Sequence, residues 1–184
     1  MSLPVRKTPR ANWHNYKGAE YFVTICTHNR VHYFGEVCNG KMQLTTVGEC
    51  LKREIENTRH IRGENVDIPL YVIMPNHVHL IVFIDNRKDI LNMSANYQTD
   101  TGKYTDTRSV PIQRFGAQSK NLGSVIRGIK SAVTRFANEN NISFAWQQRY
   151  HDRIVRNRQE MNRIADYIEQ NPTRWEMDCF YCNE

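Results

Sequence analysis

Hydrophobic and polar positions alternate, cluster and recur along this chain in ways that predict seven main elements. Residues 20–28, Glu-Tyr-Phe-Val-Thr-Ile-Cys-Thr-His, are dense in β-branched and aromatic types and predict a strand, which Asn29-Arg30 turns. Residues 31–45 predict a small hairpin around Asn39-Gly40, a strong turn dipeptide. Over 46–60 the spacing changes. Val47, Leu51, Ile55 and Thr58 recur every three or four residues, with Lys52, Arg53, Glu54 and Glu56 off the stripe, so a helix is expected. Thr46 is its expected N-cap, with Glu49 completing a capping box. Residues 65–74 and 77–84 predict two strands joined by the short link Pro75-Asn76, as in a hairpin.

The C-terminal half repeats the scheme. Val125, Ile126, Ile129, Val133 and Phe136 make the apolar stripe of a helix over 123–139. A fourth strand is expected toward the end of 143–156. A last helix follows over 158–170, with Met161, Ile164, Ala165 and Ile168 inward and Pro172 ending it. Apart from the small hairpin, the order is strand, helix, strand, strand, helix, strand, helix. Its first six members match the ferredoxin-like βαββαβ plan, an α+β fold with an antiparallel sheet. Helices are then expected on one sheet face, leaving the other free for a ligand, with an additional C-terminal helix.

A chain of 184 residues suffices for one compact domain. Residues 1–18, with Arg6, Lys7, Arg10 and Lys17, read as a basic arm, 19–178 as the domain and 179–184 as a tail. Within the domain, 86–118 is polar and aperiodic and reads as an insertion open to disorder. Lys plus Arg number 25 against 19 Asp plus Glu, a formal charge of +6, which suits a polyanionic partner without requiring one. No run of about 18 apolar residues suggests a membrane span, and nothing near the N-terminus resembles a secretory signal. Five scattered cysteines point to reduced thiols in a cytoplasm. The isolated Cys179-x-x-Cys182 pair lacks the second pair that a zinc site would need.

The chemistry lies in two places. His77 and His79 are two apart on a predicted strand, which puts both imidazoles on one sheet face, where they could converge on a divalent metal. Tyr167 and Asn171, at i and i+4 on the last helix, share a face as well. A phenol oxygen can attack phosphorus, and an amide carbonyl can serve as a third metal ligand. Spacing alone leaves plainer readings open: a pair of solvated histidines, a half-buried core tyrosine and an asparagine C-cap. There is no P-loop, nucleophile elbow or H-E-x-x-H pattern.

Taken together, these segments resemble a known family. Met74-Pro75-Asn76-His77-Val78-His79-Leu80-Ile81-Val82 is similar to the His-hydrophobe-His motif of the single-tyrosine transposases of small insertion sequences. Two further segments bring the resemblance to the REP-associated tyrosine transposases: Trp146-Gln147-Gln148-Arg149-Tyr150-His151-Asp152-Arg153-Ile154-Val155-Arg156 and Asp166-Tyr167-Ile168-Glu169-Gln170-Asn171-Pro172. Thr27-His28-Asn29-Arg30 and Tyr33-Phe34-Gly35 fit too, so the likeness spans about residues 20–175. It implies a ferredoxin-like fold, Tyr167 as nucleophile, and His77, His79 and Asn171 as ligands of Mg2+ or Mn2+. It further implies cleavage of single-stranded DNA near imperfect hairpins through a 5′-phosphotyrosine, with later rejoining by the freed 3′-hydroxyl. The protein would act as a monomer or a homodimer. The polar stretch 86–118 departs from the family pattern.

Arg127, Lys130, Arg149, Arg153 and Arg156 are candidate phosphate contacts, against the plainer reading of a solvated surface. Two other functions fit the same fold. A nonenzymatic nucleic-acid-binding module would display stacking aromatics on its central strands, where this chain has His77 and His79. A metal-dependent phosphodiesterase using water would form no covalent adduct with DNA.

Overall fold

The computed structural model describes residues 19–85 and 121–181. The basic arm at 1–18, the polar insertion at 86–118 and Cys182 lie outside the described residues. Four strands form an antiparallel sheet: β1 (Ala19–Cys26), β4 (Val66–Met74), β5 (His77–Ile84) and β6 (His151–Ile154), in the order β4-β5-β1-β6. Helix α1 (Thr46–Glu56), with the short α2 (Thr58–Arg62), links β1 to β4, and α3 (Leu122–Glu139) stands between β5 and β6. This is the ferredoxin-like arrangement with a fourth helix, α4 (Arg158–Gln170), added after it. The small hairpin is present as β2 (Gly35–Cys38) and β3 (Lys41–Leu44). Asn39 (φ 53°) and Gly40 (φ 71°) both take the left-handed conformation that its two-residue turn requires.

Strand alternation sorts the side chains into two layers. Val78, Leu80, Val82 and Ile84 of β5 join Tyr21, Val23 and Ile25 of β1 in the main core. Val47, Leu51 and Ile55 of α1 and Val125, Ile126, Ile129 and Val133 of α3 close it from one side. The other face of β5 carries His77, His79, Ile81 and Phe83. This face, expected to be free, is partly covered by α4. Ile164 and Ile168 pack there with Ile81 and Val155, against Phe22, Leu70, Val72 and Phe83. Burying each isoleucine stabilises the contact by about 2 kcal/mol, enough to dock the helix.

Two local readings change. The N-cap of α1 is Thr45, not Thr46: its hydroxyl accepts from the Gly48 amide at 3.1 Å. The third helical position is therefore Gly48, and no capping box with Glu49 forms. Glycine is needed there, since a Cβ would lie 2.2 Å from the carbonyl oxygen of Phe34, the residue just before the hairpin. The expected helix over 46–60 also breaks at Asn57. Thr58, counted in its apolar stripe, is buried but turns its hydroxyl back onto the Glu54 carbonyl at 2.9 Å. Among the described residues, no helix is long and apolar enough to cross a membrane.

Candidate active site

The tight Pro75-Asn76 link between β4 and β5 sets where the histidines begin. Its Asn76 carbonyl accepts from both the amide and the hydroxyl of Thr27, at 2.9 and 3.0 Å. The Asn76 side chain, itself fully buried, donates from Nδ2 to the Phe180 carbonyl at 2.9 Å. That leaves its Oδ1 to accept from His77 Nδ1 at 2.9 Å. With the proton on Nδ1, His77 Nε2 is a bare lone pair, buried and without a hydrogen-bond partner among the described residues. His79 is held the same way at its other nitrogen, with Nδ1 2.8 Å from the Thr24 hydroxyl. Thr24 is the cross-strand partner of His79 on β1, so register alone fixes this pair.

Both imidazoles are buried, at 0% and 2% exposure, rather than standing solvated over an open sheet. The cover is α4 and the segment after it. Tyr167 places its hydroxyl 3.2 Å from His79 Nε2. Asn171, the C-cap of α4 and the residue that leads into the 3-10 turn Pro172–Met177, is 3% exposed. Its Nδ2 donates to Asp178 Oδ2 at 3.0 Å, and its Oδ1, like His77 Nε2, is buried without a partner among the described residues. The Phe180 ring lies 4.5 Å from that of His77, centroid to centroid, and Trp175 lies 5.9 Å from it. Arg30 fastens this strap, donating to the Cys179 carbonyl at 2.9 Å with its guanidinium over the Phe180 ring. Asn29 and Arg30 deliver it from left-handed backbone (φ 52° and 58°), the turn that the sequence predicted.

Asp178 is the site residue that the sequence reading missed. His77, His79 and Asp178 bring one ligand atom each within 4.8 Å of one another, a group that could hold a metal ion. The carboxylate also accepts from Tyr167 at 3.4 Å. It lies seven residues beyond Asn171 across an irregular turn, so no periodicity marks it. An acidic residue after the helix-ending proline was the one available signal.

Burial dominates the electrostatics. It pushes His77 well below the ordinary histidine range, helped by His79 and Arg30. It brings His79 down to about 4, against the opposing pull of Asp178. Both rings are therefore neutral near pH 7, the form that binds metals. The Tyr167 phenol is pushed up to about 12, first by burial and then by the Asp178 carboxylate.

A pH dependence of stability follows. Between pH 6.5 and 4 the unfolded chain gains a proton on His79 that the folded chain refuses. This stabilising difference is complete above about pH 6.5 and is lost as pH falls toward 4, by about 3 kcal/mol for this residue. Melting curves of metal-free wild type should drop more steeply from pH 7 to 5 than those of His79→Gln. Parallel curves would contradict this origin.

The basic candidates divide. Arg127 is exposed on α3, which packs on the sheet face opposite the histidines. Lys130 of the same helix is engaged by the Gln147 carbonyl and lies over Trp146. Arg153, opposite Phe22 in the register, sits on the histidine face and pairs with Glu160. Arg149 and Arg156 are exposed on either side of β6. Tyr150 packs against the main core, across the sheet from His77 and His79.

Comparison with known proteins adds to this picture. No protein-family model matches the chain. An uncharacterized protein of Haemophilus influenzae is 33% identical over 179 residues, covering 96% of this chain and 93% of that one. The two belong to one family. A solved structure of a REP-associated tyrosine transposase bound to a REP hairpin shares the fold, with a TM-score of 0.54 and 20% identity, over 88% of this chain and 72% of that one. The motif resemblance and the likeness of fold thus fall on the same group of proteins.

Proposed function

We propose that this protein is a metal-dependent, single-stranded DNA endonuclease and strand transferase, a tyrosine transposase that cleaves near hairpins. The observation that carries this reading is the Tyr167 hydroxyl, 3.2 Å from His79 Nε2 and on the same Asp178 oxygen as Asn171 Nδ2, in a cluster where His77 Nε2 and Asn171 Oδ1 are buried without partners among the described residues. Orphaned polar atoms are costly in a protein interior, and here they sit next to a nucleophile. The shared fold with a hairpin-bound transposase supports the same reading.

The donor set fits a divalent ion. His77, His79 and the Asn171 carbonyl offer nitrogen and oxygen donors that suit Mg2+ or Mn2+, with Mn2+ the more tolerant of imidazole. A bound ion would polarise a phosphate oxygen and offset charge developing on phosphorus. Asn76 holds the His77 ring so that its Nε2 lone pair is presented, and Thr24 holds the His79 ring at Nδ1, which leaves Nε2 on the side of Tyr167. Tyr167 attacks phosphorus, a bond forms from its phenol oxygen, and the bond from phosphorus to the 3′ oxygen breaks. The phenol loses a proton and the departing 3′ oxygen gains one, leaving a 5′-phosphotyrosine and a 3′-hydroxyl. The reverse attack by a 3′-hydroxyl reseals the strand, so no nucleotide cofactor is consumed. Arg149, Arg153 and Arg156 flank the edge strand and suit backbone contacts. Arg127 and Lys130, on the far side, would have to serve a strand that wraps the molecule.

The test is incubation with labelled single-stranded hairpins and Mn2+, then a denaturing gel. A protein–DNA adduct is expected with hairpins and not with a long perfect duplex, and binding should weaken as salt rises. Cleavage without any adduct would point to a water-using phosphodiesterase. Binding without cleavage would point to a nonenzymatic module. Phe22, which such a module would expose for stacking, is instead covered by Tyr167 and His79.

A further inference from the structure

We infer that Asp178 is itself a metal ligand, so that metal binding and docking of the C-terminal strap (172–181) are one linked event. The inference rests on the proposed metal site and adds to it a residue from outside α4 and the sheet. Three observations carry it. The carboxylate lies within 4.8 Å of ligand nitrogens on both His77 and His79. The hydrogen bonds it accepts, from Asn171 Nδ2, the Tyr167 hydroxyl and the Phe180 amide, all come from neutral donors, so none of them neutralises its charge. Beside it, His77 Nε2 and Asn171 Oδ1 are buried without partners. A cation among these groups would satisfy all three at once: two lone pairs without donors and a carboxylate with no ion pair among the described residues.

The structural consequence follows from where Asp178 sits. His77 and His79 belong to the sheet and Asn171 to the end of α4, whereas Asp178 belongs to the strap. The strap reaches the sheet through the Phe180 carbonyl on Asn76, the Phe180 ring on His77, and Arg30. A ligand from the strap ties it to the histidines directly. Any agent that binds the docked form more tightly must favour docking by the same factor.

Two measurements on the full chain test this, with Mn2+ alone as the probe. Asp178→Asn keeps the size and an oxygen for the Phe180 amide but removes the charge. Mn2+ binding, read by its electron paramagnetic resonance signal or by calorimetry, should weaken at least about tenfold, the loss that even an outer partner of a metal ligand produces. His77→Gln serves as the control that locates the ion. In the second measurement, hydrogen exchange of wild type with and without Mn2+, the amides of Asp178, Phe180 and Tyr181 should slow on addition of the metal. At a metal concentration a hundred times its Kd, the slowing can approach about a hundredfold. Mn2+ bound equally by wild type and Asp178→Asn, with strap exchange unmoved, overturns the inference and leaves the His77–His79 site standing. Mn2+ bound by neither wild type nor His77→Gln overturns both. If Asp178→Asn does not fold, the wild-type exchange experiment decides alone.

Discussion

Tyr167→Phe should abolish the covalent protein–DNA adduct while leaving hairpin binding within about a factor of two. The phenol oxygen is the atom that would form the phosphotyrosine, and it stands 3.2 Å from His79 Nε2. The substitution removes one oxygen and little else. Tyr167 is 42% exposed, and its ring keeps its edge contact with Phe22, so the fold should lose no more than about 1 kcal/mol for the hydrogen bond. Tyr150→Phe should form adduct normally, because Tyr150 packs against the main core on the opposite side of the sheet from His77 and His79. Peptide mapping of adduct trapped from the wild type is the direct measurement. A DNA-linked peptide carrying Tyr150 would reverse the assignment. Adduct formed at full yield by Tyr167→Phe would remove the tyrosine from the mechanism altogether.

Periodicity placed these side chains on shared faces, and the resemblance to the transposases singled them out. The period of two on 77–84 put His77 and His79 on one face and Val78, Leu80 and Val82 on the other, and β5 runs over those same residues. The period near four on 158–170 put Ile164 and Ile168 inward, and α4 has those limits. It also set Tyr167 and Asn171 one turn apart. Asp178, Phe180 and Trp175 were not legible, because no repeat governs the chain beyond Pro172 and their positions depend on long-range partners such as Arg30 and Asn76. The burial of the histidines was missed for the same reason. A strand shows which face a side chain occupies, not what later segment covers that face. The shift of the α1 cap by one residue goes with a much nearer contact, the close approach of Gly48 to the Phe34 carbonyl.

Replacing His77 or His79 should lower adduct formation by at least about a thousandfold, the effect of losing several kcal/mol of metal-derived charge stabilisation. Their burial changes how the experiment has to be done. Alanine at 77 would leave a void beneath Phe180 and Trp175 and strip the Asn76 Oδ1 of its donor. That combination costs on the order of 3 kcal/mol of fold stability, so a dead alanine variant could simply be an unfolded one. Glutamine retains a donor and most of the volume, and removes the imidazole lone pair aimed at the site. His77→Gln and His79→Gln should therefore melt close to the wild type near pH 7, bind Mn2+ weakly and form no detectable adduct. His79→Gln carries a second loss, since His79 Nε2 is also the neighbour of the Tyr167 hydroxyl. Chelation supplies the arm free of mutation: excess EDTA should suppress adduct formation by the wild type, and added Mn2+ should restore it, with the fold intact throughout. Wild-type activity that survives the chelator, or full activity in either folded glutamine variant, would show that the two histidines do not serve the reaction through a metal.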